Sequence, residues 1–125
     1  MKPVMKTPDA EHPISIFANR NRVRVMLAGR VIADTTQALT LFEATLPPVF
    51  YIPRQDTDMT LLVPSTHSTH CPYKGDARYF TISVDGRTAE NAVWSYEQPY
   101  PAVSRIEGRL AFYPRMVDAI EELPA

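Results

Sequence analysis

The sequence predicts an all-β fold: one compact domain of short antiparallel strands, closed by a short C-terminal helix. Three observations carry that expectation. First, proline is abundant, with 12 in 125 residues against only 4 glycines. Prolines at positions 47, 48, 53, 64, 72, 99, 101 and 114 each remove a backbone donor and disfavour helix in the preceding residue. Second, the apolar residues recur with period two in short runs, the period of strands rather than of helices. Third, Asp85-Gly86 separates two such runs, and this dipeptide favours the tight turn of a hairpin.

The elements follow in order. Residues 1–12 read as a flexible leader ending at His12-Pro13, and residues 13–125 as a single β-rich domain. Ile14–Phe17 is a short strand. In Arg22–Leu27, Arg22 and Arg24 face one side and Val23, Val25 and Leu27 the other. Ala28-Gly29 makes a turn and Arg30–Ala33 returns, completing a hairpin. In Asp34–Thr45, an Asp34/Gln37 capping box argues for helix. Thr35, Thr36, Thr40 and the nearby Pro47-Pro48 argue against it, which favours a strand over Leu39–Glu43. Val49–Ile52 is a strand stopped by Pro53, and Met59–Val63 one stopped by Pro64. Tyr79–Val84 alternates, turns at Asp85-Gly86 and is followed by a strand over Ala92–Tyr96. Val103–Tyr113 alternates again, with Ile106, Gly108, Leu110 and Phe112 on one face. Met116, Ile120 and Leu123 have helical spacing, so Met116–Leu123 is the expected helix.

Bulk properties exclude several function classes. A net charge of -1 gives no basic excess for nucleic acid or a membrane surface. Arg20, Arg22, Arg24 and Arg30 cluster on one hairpin and read as a solvated face. No stretch approaches the ~20 apolar residues that span a bilayer, and the start lacks the apolar run of a signal peptide. A cytoplasmic protein is expected. Cys71 is the only cysteine, so neither an internal disulfide nor a paired-cysteine zinc site can form. No metal and no cofactor is expected.

Reactive side chains concentrate in Thr66–Gly75, which holds the only cysteine, His67, His70 and Lys74. Cys71 reads either as a nucleophile with a histidine base or as a small buried hydrophobe. Because it precedes Pro72 it is held extended, and alternation puts His70 on the opposite face and leaves His67 as the candidate base. Lys74 is a point charge for an anion and Gly75 allows close backbone approach; the same stretch also reads as a plain turn. Arg54, just past a strand end, suits a bidentate clamp on a carboxylate or phosphate, with Asp56 as the expected structural partner. The aromatic set Tyr51, Tyr73, Tyr79, Trp94, Tyr96 and Tyr113 reads either as core or as the wall of a pocket whose polar tips orient a ligand, and Tyr51, Tyr73, Trp94 and Tyr96 complete the candidate set.

Four blocks occur in a distinctive order: Pro47–Arg54, His70–Ala77, Asn91–Glu97 and Ala111–Pro114. With their spacing, the chain resembles the small proteins grouped as domain of unknown function family 427, from about His12 to Ile120. The resemblance implies a β-rich fold of the Mss4-like or β-tent type. Some of those relatives hold zinc between two cysteine pairs, which this chain lacks. The family has also carried a nucleotidyltransferase label. Asp56 and Asp58 have the spacing of a metal-holding pair, but neither a Gly-Ser loop nor a Gly-x-x-x-x-Gly-Lys cradle accompanies them.

The expected function is binding of a small polar or anionic ligand in a cleft lined by Tyr51, Arg54, Tyr73, Lys74, Trp94 and Tyr96. The alternatives are a non-catalytic interaction module presenting an apolar patch near Trp94 or Phe50, and an enzyme that depends on Cys71 and His67.

Overall fold

A computed structural model describes residues 4–125. The fold is built from ten strands: β1 (Ile14–Asn19), β2 (Arg22–Leu27), β3 (Arg30–Thr35), β4 (Ala38–Glu43), β5 (Val49–Tyr51), β6 (Leu62–Cys71), β7 (Gly75–Val84), β8 (Arg87–Ser95), β9 (Ala111–Phe112) and β10 (Ala119–Leu123). They form three antiparallel sheets, in the orders β1-β4-β5, β10-β2-β3 and β6-β7-β8-β9. The only helical pieces among the described residues are 3-10 turns. None is long and apolar enough to cross a membrane.

Alternation explains how the sheets pack. In β7, Phe80, Ile82 and Val84 face one core cluster, and Ala77 and Tyr79 face another. The first cluster joins that face to Val23, Val25, Leu27 and Ile32 of the β2–β3 hairpin. The second joins the opposite face to Leu39, Leu41 and Tyr51 of β4 and β5. The four-stranded sheet is therefore covered by a different small sheet on each side. Two irregularities shape it. β6 carries extra residues between Pro64 and Ser68, where proline cannot donate to the ladder. β8 carries extra residues opposite Thr81, where Asn91 takes a positive φ of 52° and its N–H donates to Thr81 Oγ1 at 3.1 Å.

The hairpin over β2 and β3, the strand at β4 and the Asp85-Gly86 turn lie where the sequence puts them. Three arginines of the basic hairpin are paired, one within the hairpin and two with neighbouring elements: Arg22 with Asp34, Arg24 with Glu121 and Arg30 with Asp85. Three expectations are corrected. Met116–Leu123 is not a helix; it contains the end of a 3-10 turn and then β10, paired with β2 from Ala119↔Met26 to Leu123↔Arg22. So short a segment gains little as an isolated helix, whereas β2 offers it a full row of backbone partners. Val103–Tyr113 is not one strand. Pro101 starts 3-10 turns over Pro101–Ile106, and Gly108, at φ +71°, turns the chain before β9. Met59–Leu61 is a 3-10 turn capped by Asp58, whose side chain accepts from Thr60 N, and the strand begins at Leu62.

Of the expected leader, residues 1–3 lie outside the described residues. The segment from Val4 to Pro13 has no strand, and it crosses from the β6–β7 turn to the end of β4. Lys6 N donates to Pro72 O at 2.8 Å, and Ala44 N to Pro13 O at 2.8 Å.

Candidate functional site

β4 sets the floor of the site. Leu39, Leu41 and Glu43 alternate onto its core face, so a carboxylate ends an otherwise apolar row. Opposite it, Pro72–Lys74 forms the turn between β6 and β7. That turn is pinned on two sides: Lys74 N donates to Cys71 O at 3.3 Å, and Tyr100 N donates to Lys74 O at 3.0 Å. Gly75 follows at φ +106°, and a Cβ there would sit 3.5 Å from Gln98 O. That contact is an ordinary one, so it is the positive φ that favours glycine at this turn.

Lys74 consequently points inward. Its ammonium donates to Glu43 Oε1, with side chains only 10% and 9% exposed. His12 Nε2 donates to the other oxygen, Oε2, at 2.8 Å. The His12 ring stacks on Tyr73 with centroids 3.9 Å apart. Burial pulls the Glu43 carboxyl upward, but its bonds to Lys74 and His12 outweigh that and hold it below the usual carboxylate range. At neutral pH the site therefore contains a buried, ionised pair.

An aromatic wall rises above this pair. Trp94 packs against Tyr113 at 4.4 Å and edge-on to Tyr51 at 6.5 Å, and its indole N–H donates to the Tyr51 hydroxyl at 3.4 Å. The hydroxyls of Tyr113 and Tyr79 lie 3.2 Å apart, and Tyr79 reaches Thr69 Oγ1 at 3.0 Å. The Lys74 ammonium lies 5.9 Å from the centre of the Tyr96 ring. Burial raises the pKa of Tyr51 and of Tyr96 well above the ordinary phenol value. Burial, with the bond to Tyr79, pushes Tyr113 up to about 12. All three phenols keep their protons at neutral pH, so each hydroxyl retains a proton to donate.

Together these groups form the walls of a partly open cavity of about 210 Å³. Tyr51, Lys74, Trp94 and Tyr96 all line it. Tyr73 does not; it covers His12 on the outer side of the ion pair. Arg54 lies elsewhere, held by two segments. Its Nε donates to Gly108 O at 2.7 Å, and its Nη2 to Glu97 Oε2 at 2.8 Å and Ser95 Oγ at 3.2 Å. Glu97 thus replaces the expected Asp56, which instead accepts from Thr35 Oγ1 at 2.7 Å. Cys71 is partly buried and packs against the second core cluster. His67 packs edge-on to Tyr79 at 4.6 Å, and His70 bonds to Asp76 at 2.6 Å. No hydrogen bond joins Cys71 to His67 or His70. Among the described residues, no three His, Cys, Asp or Glu side chains gather at metal-binding distance.

Glu43 is a site residue that the sequence reading passed over, whereas Tyr79 and Tyr113 belong to the aromatic set it named and also line the cavity. Glu43 carried one signal, a carboxylate on the apolar face of a strand, in register with Leu39 and Leu41. Its partner Lys74 lies 31 residues away, so nothing local joins the two.

Among curated proteins, none matches the chain. The family model described as "Domain of unknown function (DUF427)" matches residues 15–123, which span every strand from β2 to β10 and nearly all of β1, so the chain belongs to that family.

Proposed function

We propose that the chain binds a small polar molecule in the cavity lined by Tyr51, Lys74, Trp94 and Tyr96. The observation that carries this reading is the half-open cavity itself, which ends on a buried Glu43–Lys74 pair and is walled by phenol and indole rings. Buried space beside polar groups suits an orienting site better than plain core packing. A cavity of about 150 Å³ accepts a benzene-sized guest. The 210 Å³ here therefore suits one ring with polar substituents.

Of the polar and anionic ligands the sequence suggests, the neutral polar class fits better. The charge of Lys74 is already balanced by Glu43, so an anion would meet the carboxylate as well as the ammonium. Arg54 is committed to Glu97 and adds no free charge. The cavity supports binding, and no reaction is assigned to it. A cytoplasmic location and the β-tent type of fold belong to the same reading; three antiparallel sheets packed through two core clusters support the latter.

The test is a thermal-shift screen of small alcohols, amides, phenols and acids, with nucleotides, sugar phosphates and divalent metals alongside. A specific ligand at 100 times its Kd should stabilise the fold by about 2.7 kcal/mol. Val49→Phe, which fills the cavity, should abolish the shift. A screen without a hit, or a hit that Val49→Phe leaves intact, sinks the reading.

The interaction-module alternative is favoured by one observation. Phe17 and Phe42 pack edge-on at 5.9 Å on the outer face of β1 and β4, 58% and 44% exposed. It requires self-association or partner capture that Phe17→Ser removes, and a monomer that captures nothing in sedimentation and pull-down experiments counts against it.

A further inference from the structure

Next to the cavity lies a larger depression of about 780 Å³. All three sheets contribute to it: Phe50 from β5, Ile120 from β10, and Phe112 from β9. Among the described residues Arg115 is the only charged one on its walls, and its guanidinium is engaged 5.1 Å above the Tyr113 ring. Leu46, Pro47, Val49, Trp94 and Tyr113 line both this cleft and the tyrosine cavity. Leu46 sits on the turn between β4 and β5, 57% exposed, at the boundary of the two spaces. One chamber is thus polar at its end and the size of a ring, and the other is apolar and within the volume range of small-molecule sites.

We propose that the ligand is amphipathic, with a polar head of about one ring in the cavity and an apolar extension in the cleft beyond Trp94 and Tyr113. This rests on the binding reading above and adds the chemical class of the molecule. The sharing of walls argues for one ligand in both chambers rather than a separate partner in the cleft. Burial of the extension supplies affinity in proportion to its apolar area, and the head supplies orientation.

Trp94, the only tryptophan, lines both chambers and reports on each. The full chain is titrated with 4-alkylphenols, from phenol to 4-heptylphenol, following Trp94 fluorescence. The Kd should fall about three- to fourfold per methylene until the cleft is filled. Ile120 lines only the cleft. Ile120→Asp should flatten this dependence while leaving the Kd for phenol itself unchanged. Ile120→Ala, the milder change, should reduce it in a chain that remains folded. Phenol binding without any dependence on chain length overturns the amphipathic class and leaves the cavity reading standing. A dependence that survives both Ile120 variants also overturns it, because the tail then lies elsewhere. Failure of the whole series to bind overturns it too, and the polar panel of the thermal-shift screen judges the cavity separately. Self-association that Ile120→Asp abolishes, with no dependence on chain length, overturns it in favour of a second copy of the chain in the cleft.

Discussion

Glu43 has both carboxylate oxygens taken, one by Lys74 and one by His12, at a position where water barely reaches. Removing one partner from such a pair is far more costly than the pair is beneficial, because the other charge stays buried and uncompensated. Glu43→Gln should therefore destabilise the fold by about 3 kcal/mol at pH 7, measured by urea denaturation. The same carboxyl fixes a pH window. Its folded value lies below its ordinary 4.5, so its contribution is complete above about 4.5 and is lost as pH falls through the folded value. The gap between the two proteins should then narrow steadily below pH 4.5. A loss under 1 kcal/mol at pH 7, or a gap that stays constant down to pH 3, would contradict this account. Arg54 shows the opposite case. From its sequence position it resembles a ligand clamp, yet Gly108, Ser95 and Glu97 take three of its five N–H donors and Glu97 balances its charge. Whether an arginine binds a ligand or ties segments together depends on residues 41 to 54 positions away, which no local pattern contains.

At the scale of elements, the legible strands are those whose own side chains alternate and whose turn is local. The β2–β3 hairpin has both, with Ala28 and Gly29 supplying the positive φ values of its turn. β10 has neither. Ile120 and Leu123 fit a helical period, and the strand exists only because β2 lies alongside it. Its polar residues are also answered by distant partners: Glu121 accepts from Arg24, and Glu122 from Asn19 and Asn21. These contacts are invisible in a five-residue window. The pairing gives an NMR signature that a helix cannot produce. Alternate pairs of the Ala119↔Met26, Ile120↔Val25, Glu121↔Arg24 series should show strong Hα–Hα cross-strand effects, as non-hydrogen-bonded antiparallel pairs do. Medium-range effects between residues three apart in 116–123, without those cross-strand signals, would restore the helix.

For the whole molecule, the decisive feature is that β7 and β8 serve both core clusters. Phe80, Ile82 and Val93 face the first, and Tyr79 and Trp94 the second, so neither cluster can lose its order without uncovering the back of the other's sheet. The site inherits this arrangement: Glu43 comes from one sheet, Trp94 from another, and Lys74 from a turn that leads into β7. Unfolding should therefore be a single transition. Urea curves from far-UV circular dichroism, which sees all ten strands, and from Trp94 fluorescence, which sees the second cluster, should superimpose, with a slope of about 1–3 kcal/mol/M. A mutation makes the test stricter. Leu27 is fully buried in the first cluster, and Leu27→Ala should cost about 2–5 kcal/mol. If the shared sheet couples the clusters, Leu27→Ala lowers the midpoint seen by Trp94 as much as the midpoint seen by circular dichroism. A Trp94 midpoint that does not move would mean that the β4–β5 side, and the cavity with it, holds together independently of the β2–β3 side.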